Sequence, residues 1–112
     1  MTEKQIHKIA FELNCQLVNE INSMNAENLG IQFGINSAIL AEIKEELTDY
    51  FKTDEFPEIK ILESKFSIFK YDSEKGFDIE AKLFTKDGRE TELTLHTEFG
   101  NTKLKYKLIE VM

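Results

Sequence analysis

The chain has 112 residues, 41% of them hydrophobic and 31% charged, with nine Phe, no Trp and a formal charge of −7. That is material for a single domain, residues 1–112, with one small core, and it excludes a disordered chain. No apolar run nears the roughly 20 residues of a membrane helix, and the polar opening Met1-Thr-Glu-Lys-Gln-Ile-His-Lys excludes a secretory signal.

Thr2-Glu3-Lys4-Gln5 has the form of a capping box, a hydroxyl followed three positions on by an amide. Ile6, Ile9, Ala10, Leu13, Leu17, Ile21 and Met24 then recur at spacings of three and four, which predicts a first helix ending near Asn25. Phe11, Cys15 and Val18 widen its apolar face, and that side is a candidate surface for a homodimer. Asn28-Leu-Gly30 reads as a turn and residues 30–36 as a short apolar connector. Asn36 or Ser37 caps a second helix, with Ile39, Leu40, Ile43, Leu47, Tyr50 and Phe51 as its buried stripe. Phe56-Pro57 marks its stop, since a residue before proline is pushed out of helical angles.

From Glu58 onward the period falls to two. Ile59 and Ile61 share one parity, while Leu62, Phe66 and Ile68 take the other, so a bulge or bend is expected within a long first strand. Ser73-Glu-Lys-Gly76 reads as a hairpin loop, and Phe77, Ile79, Ala81 and Leu83 as the next inward face. Asp87-Gly88 is a strong hairpin signal, read as a turn with both central residues at positive φ. Thr91, Leu93, Leu95, Thr97 and Phe99 form the third inward face, and Gly100-Asn101 reads as another two-residue turn. Leu104, Tyr106 and Leu108 complete the pattern, with Lys103, Lys105 and Lys107 outside, opposite Glu90, Glu92 and Glu98. Glu110 shares the inward parity, but Ile109 and Val111 make the strand's end two-sided. The expected fold is therefore α+β: two N-terminal helices packed on a bent four-stranded antiparallel meander.

Leu83-Phe84-Thr85-Lys86-Asp87-Gly88-Arg89, then Leu93-Thr94-Leu95, then Leu108-Ile109-Glu110-Val111-Met112 resemble a small bacterial family with no assigned activity. Its hairpin has the form Leu-aromatic-Thr-x-x-Gly-Arg, and Tyr50 and Pro57 also sit where that family places a Tyr and a Pro. The resemblance covers roughly residues 37–112, with Phe84 in place of Trp and Glu90-Thr91 in place of Ser-Asp. It implies a helix-plus-meander layout similar to the cystatin-like and ketosteroid-isomerase-like cones. In size and charge the chain also resembles the immunity proteins of bacterial toxin systems.

The charge is unevenly spread. Residues 42–63 hold eight acids against three lysines, a net of −5, while residues 64–112 carry nine of each sign. Such a field repels nucleic acid and anionic lipid and attracts basic proteins. Catalytic constellations are sparse. His7, His96 and Cys15 are the only His and Cys, too few for a metal centre, and each histidine is expected to be solvated. Cys15 reads as a small packing residue on the first helix; as a lone cysteine it fits a reducing, cytoplasmic setting. No metal or cofactor is implied and no catalytic residue is assigned. The favoured reading is a non-catalytic immunity protein that neutralises a cationic, nuclease-type toxin. Its partner-binding residues are Glu42, Glu45, Glu46, Asp49, Asp54, Glu55 and Glu58, with Phe51 and Phe56 as candidates either for apolar anchors or for the core. The alternative is a small-ligand or isomerase-like cone in which Tyr106 and Tyr50 line an internal pocket.

Overall fold

The computed structural model describes residues 2–70 and 76–112. Three helices come first: α1 (Glu3–Ser23), α2 (Ala26–Phe33) and α3 (Ser37–Phe51). Four strands follow: β1 (Ile59–Lys70), β2 (Phe77–Thr85), β3 (Glu90–Gly100) and β4 (Lys103–Val111). They pair antiparallel in chain order as a single sheet. The α+β class is as expected, with one helix more than the two read from the pattern. Ser73–Lys75 of the expected first hairpin loop lie outside the described residues.

Each helix starts on a side-chain cap. The Thr2 hydroxyl accepts from the Gln5 N–H (3.2 Å), and Gln5 Oε1 accepts from the Thr2 N–H (2.9 Å). Such a cap contributes about 1 kcal/mol. Asn25 caps α2 through the Asn28 N–H (3.2 Å), and Asn36 caps α3 through the Ile39 N–H (2.8 Å). Helix α2 replaces the expected turn and connector. It has only eight residues, too few to show periodicity, and burial of Leu29 and Phe33 one turn apart holds it in place. Helix α3 ends at Phe51, ahead of Phe56-Pro57. There Lys52 turns left-handed (φ 61) and its N–H closes on Thr48 O at 2.8 Å. The Thr53 hydroxyl then accepts the Glu55 N–H, a local bond that competes with further helix.

Ile59, Ile61, Phe66, Ile79, Ala81, Leu83, Leu95, Phe99 and Ile109 of the sheet share one buried cluster with Leu17, Ile21, Leu29, Ile43 and Leu47 of the helices. Two asparagines fasten α1 to the sheet. Asn14 is fully buried; its Nδ2 donates to Ala10 O (2.7 Å) and its Oδ1 accepts from the Thr97 hydroxyl (3.0 Å). Asn22 grips both backbone groups of Ile59, donating to O (2.8 Å) and accepting from N–H (2.9 Å).

The parity slip read in the first strand is a register shift between Ile61 and Phe66. Two further shifts were not anticipated, one between Lys82 and Phe84 in the β2–β3 pairing and one in the β3–β4 pairing. Between Leu108, opposite His96, and Tyr106, opposite Thr97, Lys107 is an extra residue. One inserted residue reverses every side chain beyond it. Leu108 and Glu110 therefore leave the expected inward face, and Ile109 enters it at 6% exposure. Two turns also differ from expectation. At Asp87-Gly88 only the glycine has positive φ (91). The Gly88 N–H donates to Thr85 O (2.8 Å) and the Thr85 N–H to Arg89 O (2.9 Å), a three-residue loop ending in a glycine bulge. The last hairpin turns at Asn101-Thr102 (φ 51 and 59), one residue later than Gly100-Asn101, because Gly100 is still paired with Lys103.

Candidate functional site

Helix α3 buries Leu40, Ile43 and Leu47. At helical spacing, that stripe turns Glu42, Glu46 and Asp49 onto one flank and Glu45 beside them. The flank faces β4. A hollow of about 330 Å³ between them is walled by Glu42, Glu45, Glu46 and Asp49 from the helix and by Tyr106, Lys107, Leu108 and Ile109 from the strand. A second hollow of about 320 Å³ shares Glu46 and Asp49 and continues past Tyr50 and Lys52 to Glu92 and Val111.

The groove is electrostatically one-sided. Among the described residues, none of Glu42, Glu45, Glu46 and Asp49 forms an ion pair. The acids that pair with Lys or Arg lie elsewhere: Glu58 with Lys86 (2.9 Å), Asp87 with Arg89 (3.3 Å), and Asp78 and Glu98 with Lys107 (3.2 and 3.5 Å). Lys107 is the one cation among the residues walling the first hollow, and its ammonium is engaged by Asp78 and Glu98 on the opposite face of the sheet. Tyr106 registers the local field. Burial raises its phenol above the usual range, and nearby Glu42 and Glu46 push it the same way. Tyr50 is committed as well, its hydroxyl accepting from the Glu92 N–H at 3.1 Å.

Four of the seven acids singled out from the sequence thus meet in one groove. Asp54 and Glu55 stand exposed in the turn beyond α3 and do not wall it. Glu58 is drawn toward the β2–β3 turn by Lys86. The expected anchors Phe51 and Phe56 are half-buried against the core. The exposed apolar groups beside the groove are Leu108 (40%) and Val111 (52%). Sequence reasoning placed Leu108 inside. The signal that it lies outside was the apolar pair Ile109 and Val111 on the opposite parity.

The remaining chemistry-bearing residues are dispersed. His96, expected in solvent, is largely covered, with Nε2 3.0 Å from Glu110 Oε1 on the outer sheet face. His7 is also partly covered; its ring meets Phe66 edge-on, and its Nε2 lies 3.7 Å from Glu63. Of the expected Glu–Lys ladder between β3 and β4, only Glu98 and Lys107 pair among the described residues. Cys15 is half-buried, and burial, aided by Glu12, pushes its thiol up, away from a reactive thiolate. On the side proposed for a homodimer, Val18 is buried and Phe11 packs edge-on against Phe66. Among the described residues no three His, Cys, Asp or Glu converge as metal ligands, and no helix is long and apolar enough to cross a membrane.

No protein-family model, curated protein or solved structure matches the chain. The case for a function rests on the groove itself.

Proposed function

We propose that this protein is a non-catalytic binding module that captures a basic protein through the α3–β4 groove, and that it serves as an immunity protein neutralising a cationic bacterial toxin in the cytoplasm. The observation that carries the reading is the set of four carboxylates without ion-pair partners, Glu42, Glu45, Glu46 and Asp49, along one groove with exposed Leu108 and Val111 at its side. A nuclease holds phosphate with Lys and Arg. Four carboxylates set in a row compete for those same groups. Complementary charge raises association rates from about 10⁵–10⁶ toward 10⁸ M⁻¹s⁻¹ at low salt, while apolar contacts slow dissociation. Inhibition then needs no chemistry from this chain, only occupation of the partner's anion site.

The test is association with the variable C-terminal domain of a secreted protein encoded immediately upstream. In the double variant Glu45→Lys/Asp49→Lys, the association rate falls by about tenfold or more at low salt and its salt dependence flattens. The melting temperature is unchanged, because both side chains are exposed and unpaired. Failure of that domain to bind the wild type, or equal association rates for wild type and variant, overturns the reading.

A further inference from the structure

The two edges of the sheet are treated differently. At the β1 edge, Asn22 occupies both backbone groups of Ile59, and the irregular stretch between Ile61 and Phe66 interrupts the line of the strand. These are two of the ways in which proteins block an edge against further pairing. Among the described residues, the β4 edge is covered at one point only, where the Ile109 N–H meets the Tyr106 phenol oxygen of its own strand. It pairs with β3, and among the described residues no backbone hydrogen bond reaches β4 from any other element.

Which groups lie open follows from one bond. The Met112 N–H donates to Glu92 O (2.8 Å), toward β3. Antiparallel strands alternate, so Val111 and Ile109 direct their N–H and C=O away from β3, into the groove under α3; the Ile109 N–H is taken by the Tyr106 phenol oxygen, which leaves the Ile109 C=O and both Val111 groups open. Glu42 and Tyr106 stand at one end of that groove, Lys52 and Val111 at the other. Helix and strand therefore run alongside each other in the same sense. Carboxylates at positions 42, 46 and 49 are separated along the helix axis by about 6 and 4.5 Å. Side chains on one face of a strand repeat every ~6.8 Å. A strand laid along β4 would present every second side chain to α3 at close to the Glu42–Glu46 interval and about 2 Å beyond the Glu46–Asp49 one, a gap that the long Lys and Arg side chains span.

We infer that β4 accepts an extended basic segment as a fifth strand, with Lys or Arg at alternate positions meeting Glu42, Glu46 and Asp49. This rests on the acidic-groove reading and names the chemistry of the partner: a strand rather than a helix or a folded basic surface. Intervening side chains fall beside Leu108 on the opposite face, which favours Thr or Val there. A second copy of this chain is the wrong occupant, since it brings −7 against −7 and its own α3 acids against these.

The probe is the peptide acetyl-Lys-Thr-Lys-Val-Lys-Thr-Lys-amide, titrated against the intact protein at low salt. Two further versions carry N-methyl groups on the Lys set or on the Thr/Val set, and a fourth has the same composition with its four lysines in one block. One of the two methylated peptides loses about tenfold or more in affinity, because one alternate set of N–H groups faces β4. The blocked peptide also weakens. Amide exchange at Val111 slows on binding the parent peptide, while that of Glu110, already directed at β3, changes little. Val111→Pro removes one open N–H at an exposed edge position without breaking a bond to β3, and it weakens the parent peptide. Should all four peptides bind alike, with exchange at Val111 unchanged, the strand proposal is overturned and capture by charge alone stands. Should Glu46→Lys/Asp49→Lys leave the parent's affinity untouched, the groove reading fails, and the strand proposal with it.

Discussion

The Asn14–Thr97 bond ties helix to sheet across the centre of the core, and its removal has a calculable cost. Both residues have zero exposure, and the Thr97 hydroxyl is the donor to Asn14 Oδ1. Thr97→Val keeps the shape and deletes that donor. Asn14 Oδ1 is then an unpaired acceptor with no route to water, at a cost of about 1–3 kcal/mol. Asn14→Leu has the mirror effect, stranding the Thr97 hydroxyl and discarding the bond to Ala10 O. With both changed, no polar atom of the pair remains to be satisfied. The double variant should then cost less than the sum of the singles by about 1–3 kcal/mol, the coupling expected of two groups that share one buried bond. Urea titrations followed by far-UV circular dichroism measure all four corners of the cycle. For a domain with roughly 5–15 kcal/mol of total stability, the single substitutions are readily seen. Additivity to within about 0.5 kcal/mol would falsify the argument, since it would mean that neither group depends on the other.

Two further outcomes follow from local geometry and charge. Thr102 is a β-branched residue held at φ 59; Thr102→Gly relieves that clash and should raise stability by about 0.5–1 kcal/mol despite the added freedom of the unfolded chain, so a lower urea midpoint would contradict the turn assignment. Lys107 has its ammonium pKa raised, first by the hydrogen bond to Asp78 and then by the charges of Asp78 and Glu98. Its contribution is present in full below the ordinary lysine value of about 10.4 and is lost as pH climbs through the folded value. The stability difference between wild type and Lys107→Met is therefore expected to shrink above about pH 10.4, modestly for so exposed a side chain, and a difference that stays flat with pH would show that the pairing contributes nothing.

Much of this fold could be read from neighbours in the chain. Thr2 and Asn36 cap helices because a short side-chain oxygen reaches an N–H three residues on, wherever the helix ends up. The change of period at Glu58 and the slip between Ile61 and Phe66 are likewise written in the order of apolar residues. Helix α2 escaped notice because Leu29 and Phe33 form a stripe only two residues long, which burial, not propensity, stabilises. The candidate site was half legible. The run of acids from Glu42 to Glu58 is plain in the sequence, and helical spacing puts Glu42, Glu46 and Asp49 on one flank. That Glu58 is engaged by Lys86, 28 positions away in the chain, is not.

The amino-acid order alone determined the α+β class, the helix caps, the alternation of the strands and the concentration of negative charge, because each depends on residues within a few positions of one another. Only the folded chain decided that β4 takes an extra residue at Lys107, that Leu108 and Glu110 consequently face outward, and that α3 lies along the β4 edge of the sheet. Those outcomes depend on which strand pairs with which and in what register, and a shift of one residue, nearly silent in the sequence, exchanges the two faces of everything beyond it.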